Sequence, residues 1–161
     1  MGAMGSGKSS IAGVLAERLS YPMVDNDAAL ALRLGMSTSA YSSAHGIEKL
    51  HREEKAMFFS VCKGYQPKIV CAPGSSAEWL TPETFPGNAV GVWLDVSPDV
   101  LWERINRGSA NRPRELLAKR EEFCSETRER MVKYRACARI VLHGNFPTPT
   151  LPGLLLASFL M

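Results

Sequence analysis

Eight residues near the start of the chain, Gly2-Ala3-Met4-Gly5-Ser6-Gly7-Lys8-Ser9, satisfy the pattern G-x-x-x-x-G-K-[ST]. Glycines let backbone N–H groups converge on phosphate oxygens without side-chain interference, and a helix that follows adds its positive N-terminus. Lys8 then bridges the outer phosphates and the Ser9 hydroxyl can ligate magnesium. The expected ligand is ATP with Mg2+, held by Gly5, Ser6, Gly7, Lys8, Ser9 and Ser10. Further on, Val24-Asp25-Asn26-Asp27 ends an apolar run with two carboxylates two residues apart. On a strand that spacing sends both to one face, where one can serve a metal and the other a substrate. The plainer reading is an Asx-type helix cap. Phosphoryl transfer needs positioning and charge neutralisation more than covalent chemistry, so a loop lysine, a metal and a mobile arginine are the parts to seek. Arg112 and Arg130 are candidate arginines, against the plainer readings of a solvated loop residue and an i,i+4 partner of Glu126.

These residues need elements to hold them. Ile11, Val14, Leu15 and Leu19 recur at helical spacing directly after the loop. Pro22 ends that helix, and the next segment reads as a strand running into Asp25 and Asp27. Helices are expected over 28–34, stopped by Gly35, and over 47–61. Residues 68–72 form a short apolar run before the turn Pro73-Gly74-Ser75-Ser76, and 90–96 is the clearest strand. Ser97-Pro98-Asp99 supplies an N-cap, a first-position proline and a first-turn acid, so a helix starts near Pro98. An insert at 108–113 interrupts it, a charged helix continues to about Tyr134, residues 140–142 make another strand, and 151–160 a last helix. Strands alternating with helices predict a three-layer α/β/α sandwich around a parallel sheet, with ligands at the carboxyl ends of the strands. A buried strand normally precedes such a phosphate loop, yet here Gly2 follows Met1 directly. The expectation is either that the given sequence is truncated or mis-started, or that the sheet lacks its central strand, leaving two neighbours unpaired.

The whole chain, 161 residues, fits one domain, with 45% apolar and 22% charged residues, which argues against disorder. No apolar run reaches the roughly 18 residues of a membrane span. Cys62, Cys71, Cys124 and Cys137 contain no C-x-x-C pair, and no signal precedes the loop, which favours free thiols in a reducing cytoplasm over disulfides or zinc. Between Glu103 and Arg139 stand 11 Lys/Arg against 6 Asp/Glu, an excess of +5 that a solvated helix face explains as well as a phosphate partner does. Aromatic residues are not interleaved with it, so nucleic-acid binding is not expected. Trp79, Trp93 and Trp102 are expected in or near the core.

The succession GAMGSGKSS, MVDND, GMS, HGIEKLHREE, VWLDVS, NRPREL and ERMVKYRACA resembles shikimate kinase in order and over almost the whole chain. The resemblance implies a nucleoside-monophosphate-kinase-like P-loop fold and an ATP-dependent kinase that phosphorylates shikimate to shikimate 3-phosphate, as a cytoplasmic monomer acting on a small molecule. It places Asp25 near the magnesium through water, Asp27 on the substrate hydroxyls, Arg130 on the substrate carboxylate and Arg112 in a lid over about 107–116. Arg104 or Arg107, with Pro147, would sandwich adenine.

Two departures fall on the acid-binding pocket. The family segment G-E-x-x-F-R-x-x-E stands here as Gly46-Ile47-Glu48-Lys49-Leu50-His51-Arg52-Glu53-Glu54, with His51 in the arginine's place and Arg52 about 100° further round the helix. An imidazole offers a carboxylate one donor where a guanidinium offers a fork; a partly exposed helix histidine is the plainer reading. Three family glycines become Pro73-Gly74-Ser75, leaving Gly74 at the substrate and removing one backbone donor. Alternatives are a kinase of a gluconate-like sugar acid, and a non-catalytic nucleotide-binding regulatory module whose acid pocket has decayed.

Overall fold

The structure, a computed structural model, describes residues 1–107 and 120–144. Arg112, most of the expected lid, Pro147 and the helix expected at 151–160 lie outside the described residues. Helix α1 (Lys8–Leu19) begins directly after Gly7 and buries Ile11, Ala12, Leu15 and Ala16, the expected stripe. It ends where Ser20, at φ 54°, returns its N–H to the Ala16 and Glu17 carbonyls. Strand β1 (Met23–Asp25) leads into α2 (Asn26–Leu34), which stops at Gly35 in the left-handed conformation. Helix α3 (Thr38–His45), capped by the Ser37 hydroxyl, was not expected; only Tyr41 of it is buried, too little apolar content for periodicity to register. Then come α4 (Ile47–Cys62), β2 (Ile69–Cys71), the single turn α5 (Ser76–Trp79) and β3 (Val92–Asp95). Helix α6 (Pro98–Arg107) starts as expected, the Ser97 hydroxyl accepting from Val100 N at 3.4 Å, and α7 (Arg120–Cys137) and β4 (Ile140–His143) close the described chain.

Among the described residues all strand pairing is parallel: β1 lies beside β2 with Met23 opposite Ile69, and β3 beside β4 with Val92 opposite Ile140. Alternation along the strands builds the three layers. Ile69, Val92, Leu94, Ile140 and Leu142 pack with Ile11 and Leu15 of α1. The residues between them point the other way: Val70 meets Phe58 of α4, and Trp93 and Val141 meet Tyr134 of α7 and Ala77 of α5. Successive residues of a strand face opposite sides, so each strand needs cover on both.

The sheet is interrupted. β2 and β3 are not hydrogen-bonded to each other, and among the described residues no strand lies between them. A largely apolar cavity of about 450 Å3 separates them, lined by residues that include Ile11, Leu15, Ile69, Val70, Val92 and Leu94. Two half-sheets joined by α1 therefore stand in place of one continuous sheet among the described residues. Met1 reaches into the ladder: its amine donates to Val92 O at 2.6 Å and its carbonyl accepts from Leu94 N at 3.0 Å, as a parallel neighbour of Trp93 would.

The phosphate loop rests on a separate cluster in which Ala3, Val96, Leu101, Ile105, Phe123 and Cys124 pack together. Leu101 is 1% exposed at its centre. Leu101→Ala should lower unfolding stability by about 2–5 kcal/mol, read in urea as an earlier midpoint at unchanged slope. An unshifted midpoint would mean that α6 does not anchor the loop.

Candidate active site

Met1 pins the start of the loop alongside β3, and the loop turns where Ser6 N donates to Ala3 O at 3.2 Å. Gly5 and Gly7 stand at φ 82° and 88°, a region that L side chains avoid. At Gly5 space is short as well, since a Cβ there would come within 3.2 Å of Ile105. A Cβ on Gly7 would meet nothing within 4 Å, so there the demand is conformational and the space above the loop is open. Lys8 Nζ donates to Gly2 O at 2.8 Å and Ala3 O at 3.0 Å. Burial lowers its pKa below the ordinary lysine value, against the pull of Asp27 and Asp25. Ser6 is buried, with no hydrogen-bond partner for its hydroxyl among the described residues, and Ser10 is exposed in the first turn of α1.

The two aspartates do not share a strand face. Asp25 ends β1 and caps α2, its Oδ1 accepting from Asp27 N at 3.1 Å and Ala28 N at 3.3 Å, while Asp27 already lies in the first helical turn. The cap and the metal-side reading prove compatible, because the second oxygen of Asp25 accepts from the Ser9 hydroxyl at 2.6 Å. Asp27 keeps solvent access, yet desolvation of its carboxyl, then the Asp25 charge, push its pKa above the usual aspartate value, opposed by Lys8.

The hydroxyl and carboxylate oxygens of Ser9 and Asp25 fit Mg2+, which takes one or two protein oxygens and fills its remaining positions with phosphate and water. No cluster of three or more His, Cys, Asp or Glu able to hold a metal occurs among the described residues. The open space over Gly7 beside the Lys8 ammonium fits phosphates.

On the other side of Asp27, α4, α5 and α7 bring a second group together. Asn26, fully buried, donates to Glu54 O at 3.3 Å and ties the head of α2 to α4. Glu54 accepts from the Ser75 hydroxyl. Its pKa is raised by burial, eased by that hydrogen bond, and it feels the charges of Asp27, His51 and Glu78. His51 Nδ1 lies 2.8 Å from Glu78 Oε2, and Arg130 lies 3.5 Å from Glu78 Oε1 and 3.8 Å from Glu126 Oε2. Gly74 O accepts from the Tyr134 hydroxyl at 2.6 Å, and burial pushes that phenol to about 12. Arg52, one position after His51, is exposed. Glu54 closes the family-like segment and was visible there; Glu78 and Tyr134 carried no local signal, because only the tertiary meeting of α5 and α7 brings them in.

Arg104 spans the loop and the turn after β4, reaching Gly5 O at 3.5 Å and Gly144 O at 3.4 Å. Arg107 ends α6, and its expected partner Pro147 lies outside the described residues. All four cysteines are unbridged, Trp93 is buried, and Trp79 and Trp102 are partly buried against the core. No helix among the described residues is long and apolar enough to cross a membrane.

A family model described as shikimate kinase matches residues 4–150. A shikimate kinase of Symbiobacterium thermophilum is 30% identical over 118 residues, 73% of this chain and 67% of that protein. One from a Synechococcus species is 30% identical over 115 residues, 70% of this chain and 59% of its own length, so the chain spans about three fifths of that relative. Among solved structures, shikimate kinase from Acinetobacter baumannii in complex with shikimate superposes with a TM-score of 0.88 at 20% identity, covering 99% of this chain and 89% of that one. That likeness fixes the fold as the P-loop, nucleoside-monophosphate-kinase-like sandwich.

Proposed function

The chain belongs to the shikimate kinase family, and from that premise we propose that it transfers a phosphoryl group from Mg-ATP to a hydroxyl of a small hydroxylated acid, with shikimate as the acceptor. The observation that carries this reading is the Ser9–Asp25 hydrogen bond, because it joins the phosphate loop to the carboxylates at the end of β1. Ser9 and Asp25 would hold Mg2+, which when bound neutralises phosphate charge and orients the transferred group. Lys8 turns from the Gly2 and Ala3 carbonyls to phosphate oxygens. Asp27 orients the acceptor hydroxyl and takes its proton, a role that its raised pKa suits. His51 and Arg130 face the acceptor's carboxylate, Gly74 borders the same pocket, and Arg104 stands where a nucleotide base would pass. Arg112 and Pro147 keep the roles the resemblance gives them, a closing arginine and an adenine contact.

The decisive experiment follows ADP release with shikimate and, in parallel, gluconate, identifying the phosphorylated product by mass. Formation of shikimate 3-phosphate supports the reading, and product from gluconate alone moves the acceptor to the sugar acids. A second reading, a nucleotide-binding module without turnover, draws on Glu78 holding both His51 and Arg130 and on Pro73-Gly74-Ser75. It predicts nucleotide binding with no transfer to either acid.

A further inference from the structure

The two nitrogen donors on the acceptor side, His51 and Arg130, are already engaged. Glu78 spans them with one oxygen each, Oε2 at 2.8 Å from His51 Nδ1 and Oε1 at 3.5 Å from Arg130. An acceptor's carboxylate would need the same arrangement, one oxygen on each of these two donors. We propose that Glu78 is a specificity-determining residue that occupies the carboxylate point between His51 and Arg130 and thereby sets a weak affinity for carboxylated acceptors. The proposal rests on the reading of the chain as a kinase of hydroxylated acids.

Three features carry it. The side chains of His51, Glu78 and Arg130 are 25%, 37% and 37% exposed, so the contacts are open to exchange with a ligand and are not sealed in the core. Other carboxylates also crowd these two donors: Arg130 faces Glu126 at 3.8 Å, and Glu54 lies near enough to feel the charges of His51, Asp27 and Glu78. The contact is also not needed to dock α5, because Ala77 and Leu80 are buried, Tyr134 binds Gly74 O, and Cys137 reaches Leu80 O. An incoming carboxylate therefore has to push Glu78 aside, whereas an uncharged acceptor of the same shape does not.

The test titrates shikimate and its uncharged methyl ester into the wild-type chain, Glu78→Gln and Glu78→Ala, with Mg-ADP affinity and thermal midpoint measured alongside. Removing one opposing charge at this separation should tighten shikimate by about tenfold or more. The ester and Mg-ADP should be unchanged. In turnover, KM for shikimate should fall with kcat held, a split that a structural role for Glu78 would not produce. Equal shikimate affinity in all three forms, including undetectable binding throughout, overturns the proposal, as does equal tightening of the ester. The kinase reading fails by a different result: wild-type chain that binds nucleotide but transfers phosphate to no acid, whatever the titrations show.

Discussion

Lys8→Ala should weaken Mg-ADP and Mg-ATP binding by about two to three orders of magnitude and take phosphoryl transfer below detection. Each charge-assisted hydrogen bond contributes roughly 1.5–3 kcal/mol, and a loop lysine makes two on adjacent phosphates. In the structure the same ammonium donates to the Gly2 and Ala3 carbonyls, so it is already placed within the loop that would receive the phosphates. Its pKa is lowered first by burial, which means the charged form is held there at a desolvation cost. Removing it should consequently leave thermal stability unchanged or slightly raised while binding collapses, a combination that loss of folding cannot mimic. Lys8→Arg should not rescue, because a planar guanidinium does not fit where a compact ammonium meets two carbonyls of one turn. Calorimetry with Mg-ADP gives the answer, and wild-type affinity in Lys8→Ala would take the loop out of the mechanism.

What the sequence carried and what it hid follow from how far apart the deciding contacts lie. The loop, α1, α4 and α6 depend on spacing within a dozen or so residues and were legible, as was the parallel pairing that long connections impose. α3 was hidden because one buried tyrosine in eight residues gives no stripe. The Asp25/Asp27 pair was misplaced by extending β1 two residues too far: Asp25 turns into a cap, which starts the helix at Asn26 and breaks the strand's alternation. At 51 and 52 the 100° step between helix neighbours decides, turning His51 toward Glu78 and leaving Arg52 exposed. Glu78 could not be read at all, since its partners come from helices 27 residues before it and 52 after it. The cavity that separates the half-sheets is a property of packing and leaves no local mark in the sequence.

Asp27→Asn should separate chemistry from nucleotide binding. Asp27 sits two residues beyond the cap, close enough to Lys8 and Asp25 to feel both charges, yet among the described residues its carboxyl makes no hydrogen bond to the phosphate loop. A general base contributes typically 10²- to 10⁴-fold, so kcat should fall by about that range while Mg-ADP affinity stays within about twofold. The pH profile gives the assignment a second handle. The active form is the carboxylate, so the rate should climb as pH rises through a pKa that stands above the ordinary aspartate value, and the climb should vanish in Asp27→Asn. The like charge of Asp25 is the second cause of that displacement, after desolvation. Asp25→Asn should therefore move whatever rising limb survives toward lower pH, even as loss of the metal-side oxygen depresses the rate. A limb that stays in place in Asp25→Asn, or an Asp27→Asn enzyme that loses nucleotide binding but still transfers phosphate, would assign the proton to another group; of the described carboxylates near the acceptor pocket, Glu54 is next, being buried, raised in pKa and hydrogen-bonded to Ser75.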